Sequence, residues 1–227
     1  MMIAAGLALI FDMDGVILDS NPIHREAWTA YCRRFGIETD EAMHQRMYGR
    51  RNDEIVRDFF GAHLTEAEVF AHGAAKESLY REMMGPRLFE SLAPGFIRLV
   101  ENCGVTPLGL ATNAEPANVD FLLDGVTLGG LPLRRRFQAV VNGHQVLKPK
   151  PDPEAYLMAA ALLGVNPCNC IVFEDSYSGI EAARAAGARV VGVRTTHREF
   201  KNIDLAVDDF HSPELEPWLE MQKPVRA

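Results

Sequence analysis

Apolar residues along the chain fall into two rhythms. Short unbroken runs rich in Val, Ile, Leu and Ala recur at Leu7–Phe11, Val105–Ala111, Gln138–Val141, Cys170–Phe173, Arg189–Val193 and, with a weaker pattern, Leu205–Val207. Such runs suit strands buried on both faces, and the amphipathic stretches between them suit helices covering a mostly parallel sheet. The expected fold class is α/β. The interval 21–89 departs from that alternation: "PIHREAWTAYCRRFG", "NDEIVRDFFG" and "TEAEVFAHGAAKESLYREMM" carry helical period and no convincing strand. It reads as a helical insertion, residues 21–89, between the two parts of a core, residues 1–20 and 90–227. Pro22 on one side, and Pro94 and Gly95 on the other, punctuate the chain near those limits. The closing "MQKPVRA" is expected to fray.

Composition narrows the setting. A chain of 227 residues, 48% hydrophobic and 24% charged, is large enough to bury a substantial core. Its net charge of -8 argues against sequence-independent nucleic-acid binding, which needs a basic face. A local cation can still draw an anionic substrate into a pocket. Cysteines 32, 103, 168 and 170 form no CxxC pair and read as free thiols of a reducing compartment. The apolar start "MMIAAGLALIF" has no basic flank and runs directly into acids, so it reads as a strand rather than a signal peptide. No stretch approaches the roughly 20 apolar residues of a membrane helix. The expectation is a cytoplasmic protein, monomeric by default, with neither nucleic acid nor membrane as partner.

In an open α/β sheet, ligands bind beyond the carboxyl ends of the strands. The residues that follow each apolar run are therefore the candidates for chemistry. Asp12 and Asp14 follow the first, with Gly15 opening a turn, and Thr112 and Asn113 follow the second. Lys148 lies beyond the third, in "VLKPKPDP", and Glu174 and Asp175 follow the fourth. Singly, each has an ordinary explanation: Asp and Gly form turns, Glu-Asp-Ser can start a helix, and a loop lysine is usually solvated. Parallel strands bring all of them to one rim. Hard oxygen donors without a Cys or His cluster point to magnesium or calcium. Carboxylates beside a hydroxyl and an ammonium suit phosphoryl transfer through an aspartyl phosphate.

These segments resemble the motifs of the haloacid dehalogenase superfamily of phosphotransferases. "DMDGVILDS" is similar to its first motif, Thr112 to its second, Lys148 in "KPKPDP" to its third, and "EDSYSGIEAARAAG" to its fourth. The resemblance implies a Rossmann-like core with an inserted α-helical cap, and Mg2+ as cofactor. It implies Asp12 as nucleophile and Asp14 as general acid/base, the latter also lending its carbonyl to the metal. Glu174 and Asp175 complete the implied metal set with Asp12 and Asp14. Thr112 and Lys148 hold the phosphoryl group, and the neighbouring Asn113 and Gly15 join the candidate substrate-binding residues.

The insertion resembles the cap of the branch that contains β-phosphoglucomutase and many sugar-phosphate phosphatases. His24, Trp28, Arg51 and Lys76 resemble cap residues of the mutase. There, by the resemblance, the His and Lys align the acid/base with cap closure and the Arg grips the distal phosphate. The alternative for His24 and Trp28 is helix-face packing at i,i+4, and for Arg51 and Lys76 solvated charge. The loop "TNAEPAN" departs from the mutase pattern, which has Ser-Lys-Asn where this chain has Ala114, Glu115 and Pro116. A carboxylate beside a dianion is unfavourable by about 1 kcal/mol or more. Hydrolysis of a small phosphorylated metabolite, a phosphomonoester such as a sugar phosphate, is therefore the leading expectation. Isomerisation of β-glucose 1-phosphate to glucose 6-phosphate is the alternative, and a non-catalytic binding protein of the same fold is the third.

Overall fold

A computed structural model describes residues 1–225 of the chain. Strand β1 (Ala8–Phe11) leads into helices α1 (Asn21–Arg33), α2 (Glu41–Met47), α3 (Asn52–Phe60) and α4 (Glu66–Met84). The chain then alternates through α5 (Phe96–Asn102), β2 (Leu108–Ala111) and α6 (Pro116–Gly125) to a short hairpin of β3 (Thr127–Leu128) and β4 (Leu131–Pro132). It continues through β5 (Ala139–Val141), α7 (Glu154–Leu163), β6 (Cys170–Glu174), α8 (Tyr177–Ala185), β7 (Arg189–Val193), β8 (Leu205–Val207) and α9 (Leu215–Met221).

The six strands outside the hairpin form one parallel sheet in the order β5-β2-β1-β6-β7-β8. Counted within the sheet, that is the 3-2-1-4-5-6 order of a Rossmann-like fold, with β1 beside the point where the order reverses. Side-chain alternation explains why both faces are covered. Leu9, Phe11, Ile171, Phe173, Val191 and Val193 point into one core, where the rings of Phe11 and Phe173 stack at 4.8 Å. Ala8, Ile10, Val172 and Val190 point into the other, beneath α7 and α8.

Helices α1–α4 enclose a third apolar cluster of their own around Trp28, Ile55, Val56 and Phe59. Ile23 and Ala27 of α1 and Tyr80 and Met84 of α4 instead join the sheet's core and anchor these helices to it. Helix α4 starts from a reciprocal capping box between Thr65 and Glu68. Helix α2 escapes the periodicity reading because its seven residues complete only two turns. Strand β2 begins at Leu108 rather than Val105: Pro107 has no N–H for the ladder, and Val105 is fully exposed. The expected fraying of the tail does not hold for its described part. Lys223 and Val225 are tied by backbone hydrogen bonds to the side chains of Arg189 and Asn169, while residues 226–227 lie outside the described residues. No helix of the described residues is long and apolar enough to cross a membrane, and the four cysteines are free thiols.

Candidate active site

Strand register gathers the site. Phe11 pairs with Phe173 on one side and with Leu110 on the other, so the residues just past them emerge together at the carboxyl rim. The Asp12 N–H donates to the Phe173 carbonyl at 3.0 Å, and the Thr112 N–H to that of Val141 at 3.0 Å. Asp12, Asp14, Thr112, Asn113, Glu174 and Asp175 all line one pocket between the sheet and the helical insertion.

The lysine of that pocket is Lys150, not Lys148. The Lys148 side chain is 75% exposed and its ammonium lies 3.7 Å from Asp152. Its backbone N–H is held by Glu154 at 3.0 Å, at the mouth of α7 and away from the acids. The Lys150 side chain is 2% exposed. Its ammonium contacts Asp12 Oδ1 at 2.6 Å, Glu174 Oε1 at 2.7 Å, the Tyr156 hydroxyl at 2.8 Å and the Ala111 carbonyl at 2.9 Å. The two lysines flank one proline in a repeating K-P-K-P, so nothing in the local sequence separates them; the reach of the loop does. Asn113 helps set that reach, accepting from the Lys150 N–H at 3.2 Å while its amide donates to the Gly49 carbonyl of the insertion at 2.9 Å.

Glu174, expected among the metal ligands, is fully engaged without one. Its Oε1 accepts from Lys150 and from Tyr156 at 2.7 Å each. Its Oε2 accepts from the N–H groups of Asp175 and Ser176 and from the Ser176 hydroxyl, at 2.9, 3.1 and 3.0 Å. Glu174 therefore positions Lys150 and the start of α8, with Gly179 leaving the space its carboxylate occupies. Asp175 lies against Gly15, whose φ of +81° is a conformation that favours glycine and where a Cβ would collide with the Asp175 carboxylate. The Thr196 hydroxyl donates to Asp175, and the Thr195 hydroxyl to the Gly15 carbonyl. Both threonines follow β7, so the rule that located the other candidates, extended by one strand, reaches them. Tyr156 had a weaker signal as the one tyrosine within the apolar "EAYLMAAALL" of α7.

Asp14 faces the insertion. Its Oδ1 accepts from the Ser20 hydroxyl at 2.6 Å and lies 3.2 Å from His24 Nε2. The Lys76 ammonium is 2.8 Å from His24 Nδ1. An ammonium only donates, so Nδ1 is the acceptor and Nε2–H donates to Asp14. Lys76 also donates to Glu77 at 2.7 Å, and His24 stacks on Tyr80 at 3.9 Å. Arg51, in contrast, lies outside this pocket: its Nε is 3.4 Å from Asp53, and it lines an adjoining cleft with Asn113, Glu115 and His144. The next residue, Asn52, faces the pocket instead. Its amide donates to Glu77 at 2.8 Å and to Glu115 at 2.9 Å.

The electrostatics favour a cation. Burial, reinforced by Glu174 and Asp14, raises the Asp12 carboxyl to about 7 despite the Lys150 ammonium. Burial, then Glu174 and Asp12, pushes Asp175 well above the carboxylate range. Burial also opposes ionisation of Asp14, but His24 and Ser20 outweigh it and hold that carboxyl low. Asp12 and Asp175 offer only oxygen donors on a rim short of positive charge, a chemistry that fits magnesium. Among the described residues, no three Asp, Glu, His or Cys side chains form a ready-made cage. Magnesium needs only one or two direct carboxylates and completes its shell with water and phosphate oxygens.

The fold and this rim define an α/β phosphotransferase-type scaffold with an inserted helical cap. The chain belongs to the haloacid dehalogenase-like hydrolase family, whose model matches residues 7–187, and it is an enzyme of that family. Among curated proteins, it is similar to fructose-1-phosphate phosphatase YqaB of Escherichia coli strain K12, 36% identical over 188 residues covering 82% of this chain and 95% of that protein. It is also similar to the β-phosphoglucomutase of Bacillus subtilis strain 168, 34% identical over 196 residues covering 82% of each. Among solved structures, a β-phosphoglucomutase from Clostridium difficile superposes with a TM-score of 0.81 at 26% identity, covering 94% of this chain and 95% of that one. Phosphatases and a mutase thus stand at comparable distance, and only the pocket can separate the two.

Proposed function

We propose that the protein is a magnesium-dependent phosphatase of small phosphomonoesters of the sugar-phosphate kind, acting through a phosphorylated Asp12. The observation that carries this is the buried Lys150 ammonium 2.6 Å from Asp12 Oδ1. It orients one carboxylate oxygen and supplies positive charge where phosphoryl oxygens would gather. An Asp12 oxygen bonds to phosphorus as the ester P–O bond breaks, and Asp14 gives its proton to the leaving alcohol oxygen. Asp14 then takes a proton from water, whose oxygen attacks the phosphoaspartate and releases inorganic phosphate. His24 and Ser20 hold Asp14 ionised, as the second step requires. An anionic ester entering the pocket raises its pKa for the first, because like charge favours the protonated form. Magnesium, held by Asp12, Asp175 and the Asp14 carbonyl, would neutralise charge on the transferring group.

The test is phosphate release from a panel of phosphorylated sugars with and without magnesium, followed by acid quench and peptide mass analysis. Phosphate release that stops on chelation, with a phosphorylated peptide containing Asp12, supports the scheme. Asp12→Asn is expected to lower turnover by at least about a thousandfold, in the range of lost covalent catalysts. An unchanged rate in that variant would sink the proposal. The Lys76–His24–Asp14 chain also suits the second reading, transfer of the phosphoryl group to a sugar hydroxyl, since it links cap and acid/base directly. That reading requires glucose 6-phosphate, rather than free phosphate, from β-glucose 1-phosphate.

A further inference from the structure

Beyond the phosphoryl position, the pocket is lined by the first residue of α3, Asn52, and by Glu115, which immediately precedes α6. Glu115 does not cap its own helix; its Oε1 accepts the Asn52 amide at 2.9 Å. The same amide donates to Glu77, whose other oxygen accepts from Asn118 at 2.7 Å. No other hydrogen bond to the Glu115 carboxylate forms among the described residues. The Lys and Arg side chains that line the pocket are all committed elsewhere. Arg50 is paired with Glu54 and Asp58 at 3.1 Å each, Lys76 with Glu77 and His24, and Lys150 with Asp12 and Glu174.

We infer that the Asn52–Glu115 pair is the specificity element of this enzyme. It selects monophosphate esters of neutral, polyhydroxylated carbon chains or rings and rejects esters that carry a second anionic group. The inference rests on the phosphatase reading and names the substrate class for that site. A carboxylate accepts from sugar hydroxyls through charge-assisted hydrogen bonds. A site built around such a bond discriminates strongly against ligands that cannot form it. A second phosphate or a distal carboxylate has no donor to offer Glu115 and meets its charge, and that of Glu77, in a pocket whose own Lys and Arg side chains are all committed, Arg51 lying in the adjoining cleft beside Asp53.

The experiment compares kcat/KM for hexose monophosphates, fructose 1,6-bisphosphate and 6-phosphogluconate on the wild-type enzyme, on Glu115→Gln and on Glu115→Lys. The wild type is expected to prefer the best monophosphate by about a hundredfold or more, the discrimination of a buried hydrogen-bonding site. Glu115→Gln keeps the shape but loses the charge, and is expected to raise KM for neutral sugar phosphates about tenfold, the value of a hydrogen bond to a charged group. Glu115→Lys is expected to shift the preference towards the bisphosphate. Thermal melts of both variants establish that they are folded. Equal turnover of mono- and bisphosphates by the wild type, or an unchanged preference in folded Glu115→Gln and Glu115→Lys, overturns the inference. Turnover of p-nitrophenyl phosphate, which has no hydroxyl to read, separates the two levels. If the wild type hydrolyses it yet shows no preference among sugars, only the specificity assignment fails. If no phosphomonoester is hydrolysed, the phosphatase reading fails with it.

Discussion

The Lys150 ammonium sits among two carboxylates, a phenol and a carbonyl, with almost no access to water. Removing it leaves Asp12 and Glu174 facing each other without their cation. Lys150→Met is therefore expected to cost about 3–5 kcal/mol, as for other broken buried pairs, and to abolish measurable turnover. Lys148→Ala is expected to stay within about 0.5 kcal/mol of wild type, with turnover preserved, because its ammonium is solvated and loosely paired. Urea denaturation and initial rates on the two variants check both statements. The choice between these lysines shows the limit of local reading. Asp12, Thr112 and Asp175 were legible because each directly follows a strand end, and Asp14 because it lies only two residues beyond Asp12, whereas a lysine some residues along a loop is placed by the path of that loop.

At the scale of elements, the loop after β7 acts on the same rim. Asn21, the first residue of α1, donates to the Thr196 hydroxyl at 2.6 Å, and that hydroxyl in turn donates to Asp175. The first turn of α1 thus reaches Asp175 through Asn21 and Asp14 through His24. Thr196→Val keeps the shape and removes the hydroxyl. It is expected to weaken magnesium binding about tenfold, the usual effect of losing a partner that orients a metal ligand, while Thr196→Ser restores it. Calorimetric titration of magnesium into metal-free protein, without substrate, measures this, and identical affinities in all three proteins would count against the role. The sequence pattern identified α1 and the long α4 as helices, yet not which of their residues turn towards the sheet.

The whole molecule is held together across the pocket by polar contacts as well as by the shared core. Glu77 of α4 accepts from Asn118 of α6, and Arg81 donates to Asn118 at 2.7 Å. Burial opposes its ionisation, but Lys76, His24 and Asn118 hold the Glu77 carboxyl at about 2, below the ordinary 4.5. A depressed acid stabilises the folded state above its unfolded pKa and loses that contribution as pH falls through the folded value. Between pH 4.5 and 2 this amounts to about 3 kcal/mol. Thermal melts from pH 6 to 3 are expected to show wild type losing stability below about 4.5, the ordinary glutamate range. Glu77→Gln, less stable at neutral pH, should show a shallower loss. By itself, the sequence determined the parallel α/β core, the helical insertion and the run of acids at strand ends, because period and punctuation are local properties of a chain. Tertiary structure alone decided that Lys150 rather than Lys148 enters the pocket. It also decided that Glu174 is spent on internal partners, and that Asn52 rather than Arg51 lines the pocket of Asp12. Those choices depend on loop reach and on contacts between residues far apart in sequence, which no local pattern encodes.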